Sequence, residues 1–209
     1  MIRISSKEAK AMEFTRFRKK ESVTDDELLY AALKFEKAIA SKNGLIFHCL
    51  VRNYDNEYAN VLFSETMLDL KELANHFGQH PDVQNFFELI EMPSVSIEYH
   101  TIQKEKFVIP SDFSCIEKGT FSLIDINDEK KLLNISEDIE HNYLKQSDNT
   151  RAHFIGQVES NVFSEITFGR TLAQTKQICM GYFNNAFCMK LMNLAKKDTM
   201  NLDFWYIIA

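Results

Sequence analysis

Glycine and proline are scarce in this chain, six and three among 209 residues. Chains that stay disordered or serve as linkers are rich in both, so that character is excluded. No apolar run approaches the roughly 18 residues of a membrane-spanning helix. The start, MIRISSKEAKAMEF, lacks the apolar centre of a secretory signal. The four cysteines, Cys49, Cys115, Cys179 and Cys188, form no CxxC pair and have no histidine at zinc-ligand spacing. Three lie in apolar runs, where a free thiol acts as a small core side chain. A reducing compartment, the cytoplasm, is the expected location. A basic surface is missing too. Residues 1–104 carry 13 basic and 16 acidic side chains and 105–209 carry 11 and 14, so each half is −3. That argues against a nucleic-acid module. The densest basic cluster, Arg16, Arg18, Lys19 and Lys20, is flanked by Glu13 and Glu21 and reads as a solvated strand end. There is no phosphate-binding glycine loop, no nucleophile elbow, no HExxH and no paired carboxylates in an apolar setting.

What is present is a repeat. Phe63 to Ile102 aligns without a gap on Phe168 to Ile207, 105 residues later. Phe63, Thr66, Lys71, Leu89 and Ile102 recur as Phe168, Thr171, Lys176, Leu194 and Ile207. A self-match of fixed period means two copies of one structural unit. Within each copy the order of elements reads β-α-β-β-α-β, the ferredoxin-like motif. In the first, a strand spans 12–19 after a loose polar lead-in. Thr24-Asp-Asp-Glu27 is a capping box for a helix with Leu28, Ala32, Phe35 and Ile39 on one stripe, stopped by Lys42-Asn43-Gly44. Strands at 45–52 and 57–63 follow, then a capped helix from Thr66 that breaks near Gly78–Pro81, and a strand from Val95. The second copy has strands at 119–126, 151–158, 162–168 and 201–208, with helices from Asp128 and from a second capping box, Thr171-x-x-Gln174. The first strand and helix of the two copies align one residue out of the 105 register.

The fold class expected is therefore α+β, with repeats at 12–104 and 117–209 joined by a linker at 105–116. A sheet with helices on one face needs a cover on the other. The last strands are apolar at both parities: Val95, Ile97 and Tyr99 against Ile102, and Leu202 and Phe204 against Trp205 and Ile207. The simplest cover is the other copy's sheet, packed face to face.

The segment Ala74-Asn-His-Phe-Gly-Gln-His-Pro-Asp-Val-Gln-Asn-Phe87 and the turn Asn43-Gly44-Leu-Ile-Phe carry a resemblance. The chain resembles the dimeric α+β barrel superfamily and its antibiotic-biosynthesis-monooxygenase (ABM)-like branch, here as a tandem duplication. The resemblance covers both halves in topology and the first half in motif. It implies an apolar small-molecule pocket, cofactor-independent oxygenation of an electron-rich aromatic, and neither metal nor flavin. Haem binding or degradation is the alternative it leaves open. A non-catalytic binder of an apolar ligand is the reading from the other class. The duplicated chain is expected to be a monomer, with a weaker dimer as the variant, and neither nucleic acid nor membrane as partner.

His76 and His80 are the candidate catalytic pair. At i,i+4 they share a helix face, but Gly78 and Pro81 move His80 toward an N-cap, so a structural role stands beside the chemical one. Asn75 could orient a substrate oxygen. His48 and His153 recur at one offset on strand two, and His100 and Trp205 on the last strand; these four join Asn75 as candidate ligand-binding residues. The second copy's helix carries no group that titrates near neutrality, so a site using His76 and His80 is expected once, in the first half, with the second copy mainly structural support.

Overall fold

Thr24 opens the first long helix as expected. Its hydroxyl accepts from the Glu27 amide, and Glu27 reaches back to the Thr24 amide. The computed structural model describes all 209 residues apart from the side chain of Ala74. Two compact units emerge. Unit 1 holds residues Met1–Thr101, Lys106–Ile109 and Ile207–Ala209; unit 2 holds Ile102–Glu105 and Pro110–Tyr206.

Unit 1 runs β1 (Ile2–Arg3), β2 (Ala11–Phe17), α1 (Asp25–Ile39), β3 (Leu45–Arg52), β4 (Tyr58–Ser64), α2 (Met67–Lys71), α3 (Leu73–Phe77), α4 (Pro81–Glu88) and β5 (Ser96–Ile102). The sheet order β1-β3-β4-β2-β5 is antiparallel throughout, with the ferredoxin-like arrangement in its last four strands. The lead-in is not loose: Ile2 pairs with His48 on the sheet edge. The helix from Thr66 is two short pieces, with Glu72 as the C-cap of the first. Gly44 takes φ +84°, and a Cβ there would lie 2.3 Å from the Asp69 carboxyl, so only glycine fits between the end of α1 and the Thr66–Asp69 cap. Leu28, Ala32, Phe35 and Ile39 of α1 bury against Val83 and Phe86 of α4 and against Phe17, Leu50 and Leu62 of the sheet. Each of the larger side chains, Ala32 apart, contributes about 1.5–3 kcal/mol.

Unit 2 runs β6 (Cys115–Ser122), α5 (Glu129–Asn142), β7 (Thr150–Glu159), β8 (Val162–Gly169), α6 (Leu172–Met180), α7 (Ala186–Leu194) and β9 (Asn201–Ile207), with sheet order β7-β8-β6-β9. Strand β6 begins four residues before the expected Gly119. Its charged pair Glu117-Lys118 breaks the apolar pattern that marks a strand, so the sequence reads as linker there. The Thr171 cap also differs from the capping box. Its hydroxyl bonds to the Gln174 and Asn149 side chains, and Asn149 Oδ1 takes the Thr171 amide. A turn at Gly181–Asn184 breaks the second helix, and Asn185 caps α7. Leu132, Ile135 and Ile139 of α5 pack with Leu191 and Leu194 of α7 over Phe121, Ile155 and Phe163.

Candidate functional site

The pleat of β6 puts Glu117, Gly119 and Phe121 on one face. Across the ladder, Gly119 faces Glu165 of β8, and Phe121 faces Phe163. Glu117 and Glu165 are thus diagonal neighbours beneath α6 and α7. The helices close the space with Cys179, Tyr182, Phe183 and Met192. The result is a cavity of about 280 Å³, apolar except for the two carboxylates, the Cys179 thiol, the Tyr182 hydroxyl, Thr120 and Asn201. Gly119 keeps it open: a Cβ there would have no atom nearer than 3.9 Å.

The carboxylates are 5% and 7% exposed. Glu165 Oε1 accepts from the Tyr182 hydroxyl at 2.9 Å and bonds His153 Nε2 at 3.0 Å. His153, 1% exposed, stands with Nδ1 3.8 Å from Glu140, an ion-pair distance rather than a hydrogen bond. Lys104 Nζ donates to Glu140 Oε2 at 2.5 Å and to the His153 carbonyl at 3.1 Å. A second, polar space of about 170 Å³, lined by Lys104, Glu140 and His153, lies on that side of the histidine.

These surroundings separate the ionisation states. Burial and then the charge of Glu165 push the Glu117 carboxyl up to about 8, against the Cys179 hydrogen bond and the His153 charge. Burial alone would lower His153, but its pairing with Glu140 and its bond to and pairing with Glu165 outweigh it and raise the ring to about 9. Burial would raise Glu140, yet His153 and Lys104 hold it well below the carboxylate range. Burial and the neighbouring Glu165 lift the Tyr182 phenol, and burial and Glu117 lift the Cys179 thiol, so both stay protonated. At neutral pH the cavity presents a protonated Glu117 beside Glu165, whose carboxylate oxygen is backed by the His153 imidazolium.

A stability consequence arises directly. The folded chain keeps the Glu117 proton to about pH 8, while the unfolded chain releases it near the ordinary 4.5. Folding therefore takes up a proton between those values, and stability falls as pH rises, by up to about 1.4 kcal/mol per pH unit. His153 adds the same sign between its ordinary 6.5 and about 9. Urea melts of Glu117→Gln should match wild type at pH 4.5 and exceed it at pH 8. Equal pH slopes for the two proteins would contradict this.

Unit 1 carries the same cassette in closed form. Glu13, Glu36, His48 and Asn60 occupy the places of Glu117, Glu140, His153 and Glu165, with Thr15 opposite Asn60 as Gly119 is opposite Glu165. His48 Nδ1 bonds Glu36 at 2.9 Å and Nε2 bonds Asn60 at 3.0 Å. Thr15 occupies the position that Gly119 leaves open and donates to Glu13 at 2.6 Å. Phe77 stands at the place of Tyr182 and packs on the core.

The other expected site residues are dispersed. His76 is exposed, its Nδ1 3.0 Å from the Glu72 carbonyl of the preceding helix turn. His80 is the N-cap of α4, with Pro81 at N1 and Nδ1 accepting from the Asp82 amide. Asn75 is exposed. His100 and Trp205 are buried on the sheet faces opposite to Glu13 and Glu117, respectively, across from Met12 and Ile116. Of the seven, only His153 touches the enclosed cavity's polar groups. That cavity lies in unit 2, and its two carboxylates are the apolar-set pair the sequence did not reveal. Unit 1 has an open groove of about 1220 Å³ near Arg18, Lys20, Glu57, Phe87 and Met92.

Among the described residues no group of three metal-binding side chains comes together, and no helix is long and apolar enough to cross a membrane. No protein-family model matches the sequence, and no curated protein matches it. Solved structures do match. A proposed monooxygenase of Fusobacterium nucleatum is 9% identical with TM-score 0.69, over 97% of this chain and 94% of that one. An anthrone oxidase-like protein is 12% identical with TM-score 0.63, over 98% and 94%. A haem-binding protein of Thermus thermophilus is 7% identical with TM-score 0.63, over 96% and 92%. The chain shares the fold of these structures, and of a Listeria monocytogenes ferredoxin-fold protein related to antibiotic biosynthesis monooxygenases. With that fold the α+β class and the duplicated ferredoxin-like unit are as the sequence predicts.

The fold's association with haem can be tested on the lining. Among the described residues no histidine, arginine or lysine lines the unit 2 cavity. Its thiol and phenol are held protonated, so neither is an anionic iron ligand. The methionines there have no histidine to complete a Met/His pair, and propionates would meet two carboxyl groups. This cavity does not fit haem.

Proposed function

We propose that the unit 2 cavity binds a neutral, planar aromatic with an acidic C–H or O–H, and that Glu117 takes that proton to start a cofactor-independent oxygenation. The observation that carries this reading is a carboxyl group 5% exposed, poised at about 8, at the floor of an apolar cavity. A general base works best with a proton affinity near the working pH, and desolvation supplies that here. Anionic ligands are refused, because among the described residues no cation lines the cavity and two carboxyl groups do. The balance closes without an added reductant. Glu117 removes one proton from a ring CH₂, the resulting carbanion forms a C–O bond with O₂, and the peroxide anion takes that proton back from Glu117 to give a hydroperoxide. Loss of the second C–H proton with O–O cleavage leaves the ketone and releases water. Both oxygen atoms and all four electrons are accounted for by substrate and O₂.

Anthrone is the probe to use, with O₂ uptake and anthraquinone formation measured together. One O₂ consumed per anthraquinone, at a rate proportional to protein, supports the reading. Saturable binding of 2-naphthol in the cavity without any anthrone turnover identifies a non-catalytic binder instead. We also expect a monomer, because one chain carries both copies of the fold. Light scattering should give a mass near 24.3 kDa, and a stable tetramer would refute it.

A further inference from the structure

The two histidine cassettes differ in where the ring is aimed. In unit 1 the tight carboxylate partner is Glu36 on the helix, 2.9 Å from His48 Nδ1, and the strand partner Asn60 is neutral. In unit 2 the helix carboxylate has moved away, to 3.8 Å, and is held instead by Lys104. The tight partner is now Glu165, which faces the cavity. Both donors to Glu165, from His153 and Tyr182, land on Oε1. Glu117 accepts from the Cys179 thiol, a weak donor. Two carboxylates in one apolar space cannot both ionise freely, and unequal surroundings decide which one does.

We propose that His153 is a positioning residue that divides the roles of the two carboxylates, holding Glu165 as a fixed anion so that Glu117 alone exchanges a proton with the ligand. The catalytic consequence rests on the function proposed above; the division of roles does not. The groups facing the ring are Glu165 from β8, Glu140 from α5, Lys104 from the 102–105 segment and, beyond Glu165, Glu117 from β6. With two anions and Lys104 around it, the imidazolium is neutralised on both sides, and a neutral substitute would leave Glu165 buried without a counter-charge.

The test is carboxyl-carbon NMR of the full chain labelled at glutamate, with Glu117→Gln and Glu165→Gln used only for assignment. In wild type, the Glu117 carboxyl carbon should shift near pH 8 and the Glu165 carbon should not follow it. In His153→Gln, Glu165 should begin to titrate in the neutral range, coupled to Glu117. His48→Gln, which alters the closed cassette, should leave both signals unchanged. A flat Glu165 in His153→Gln overturns the proposal. Wild type alone is decisive if that variant does not fold: a neutral His153 ring at pH 7, or two carboxyl groups titrating together, also overturns it. None of these readouts needs turnover, so a chain that never oxidises anthrone still tests His153, and a failed titration leaves the anthrone assay to stand or fall alone.

Discussion

Glu117→Gln should slow anthrone oxidation by about 10²–10⁴-fold, the range that a positioned general base contributes. Glutamine keeps the shape and can still accept from Cys179, but it cannot take a proton. Binding of 2-naphthol should change far less than turnover, because the cavity wall is unaltered. The wild-type rate should climb about tenfold per pH unit below pH 8 and level off above it, since the base is the ionised form. The variant should lose that rise. Glu13→Gln is the matched control. Glu13 is the unit 1 counterpart, its carboxyl also raised by burial but bonded to Thr15, which stands where Gly119 leaves space open. A Glu117→Gln protein that keeps more than a tenth of wild-type turnover would remove Glu117 from the chemistry, whatever the pH profile.

The contrast between Glu117 and Glu13 also explains why the fold was legible and the site was not. The 105-residue register carries β4 onto β8 and the second helices and last strands onto each other, so the duplication stands out in sequence. It also pairs His48 with His153. But the first strand and helix are offset by 104, so a comparison at one period sets Glu13 and Glu36 beside the wrong residues. Only with both offsets does the cassette appear: Glu13/Glu117 and Glu36/Glu140 at 104, His48/His153 and Asn60/Glu165 at 105. The change from Asn60 to Glu165 then reads as a charge placed next to a histidine. Register had to be known as well, because Glu165 is twelve residues from His153 and reaches it across the β7–β8 hairpin. The histidine-rich segment drew attention for the opposite reason. His76 and His80 are close in sequence, and that closeness is used locally, one ring bonding its own helix and the other capping the next.

Converting the open cassette to its closed counterpart should abolish binding while sparing the fold. The variant is Gly119→Thr, Glu165→Asn and Tyr182→Phe, the three residues that unit 1 has as Thr15, Asn60 and Phe77. Threonine at 119 meets only ordinary contacts at Cβ and projects its branches into the cavity. Asparagine can accept from His153 Nε2 as Asn60 bonds His48, and Glu140 remains as the ring's counter-charge. Phenylalanine removes a hydroxyl whose acceptor is gone. Affinity for 2-naphthol should fall by about 100-fold or more, roughly 2.7 kcal/mol. Stability should hold or rise, because a buried charge is deleted together with its Tyr182 donor while His153 keeps an acceptor, so no polar group is orphaned. Unit 1 already packs this combination of side chains around a buried histidine, which is the physical reason to expect a folded protein. Should the triple variant unfold, Gly119→Thr alone still fills the space and should still weaken binding. A folded variant that binds 2-naphthol as wild type does would move the ligand out of unit 2, leaving the open groove near Phe87 and Met92 as the place to look.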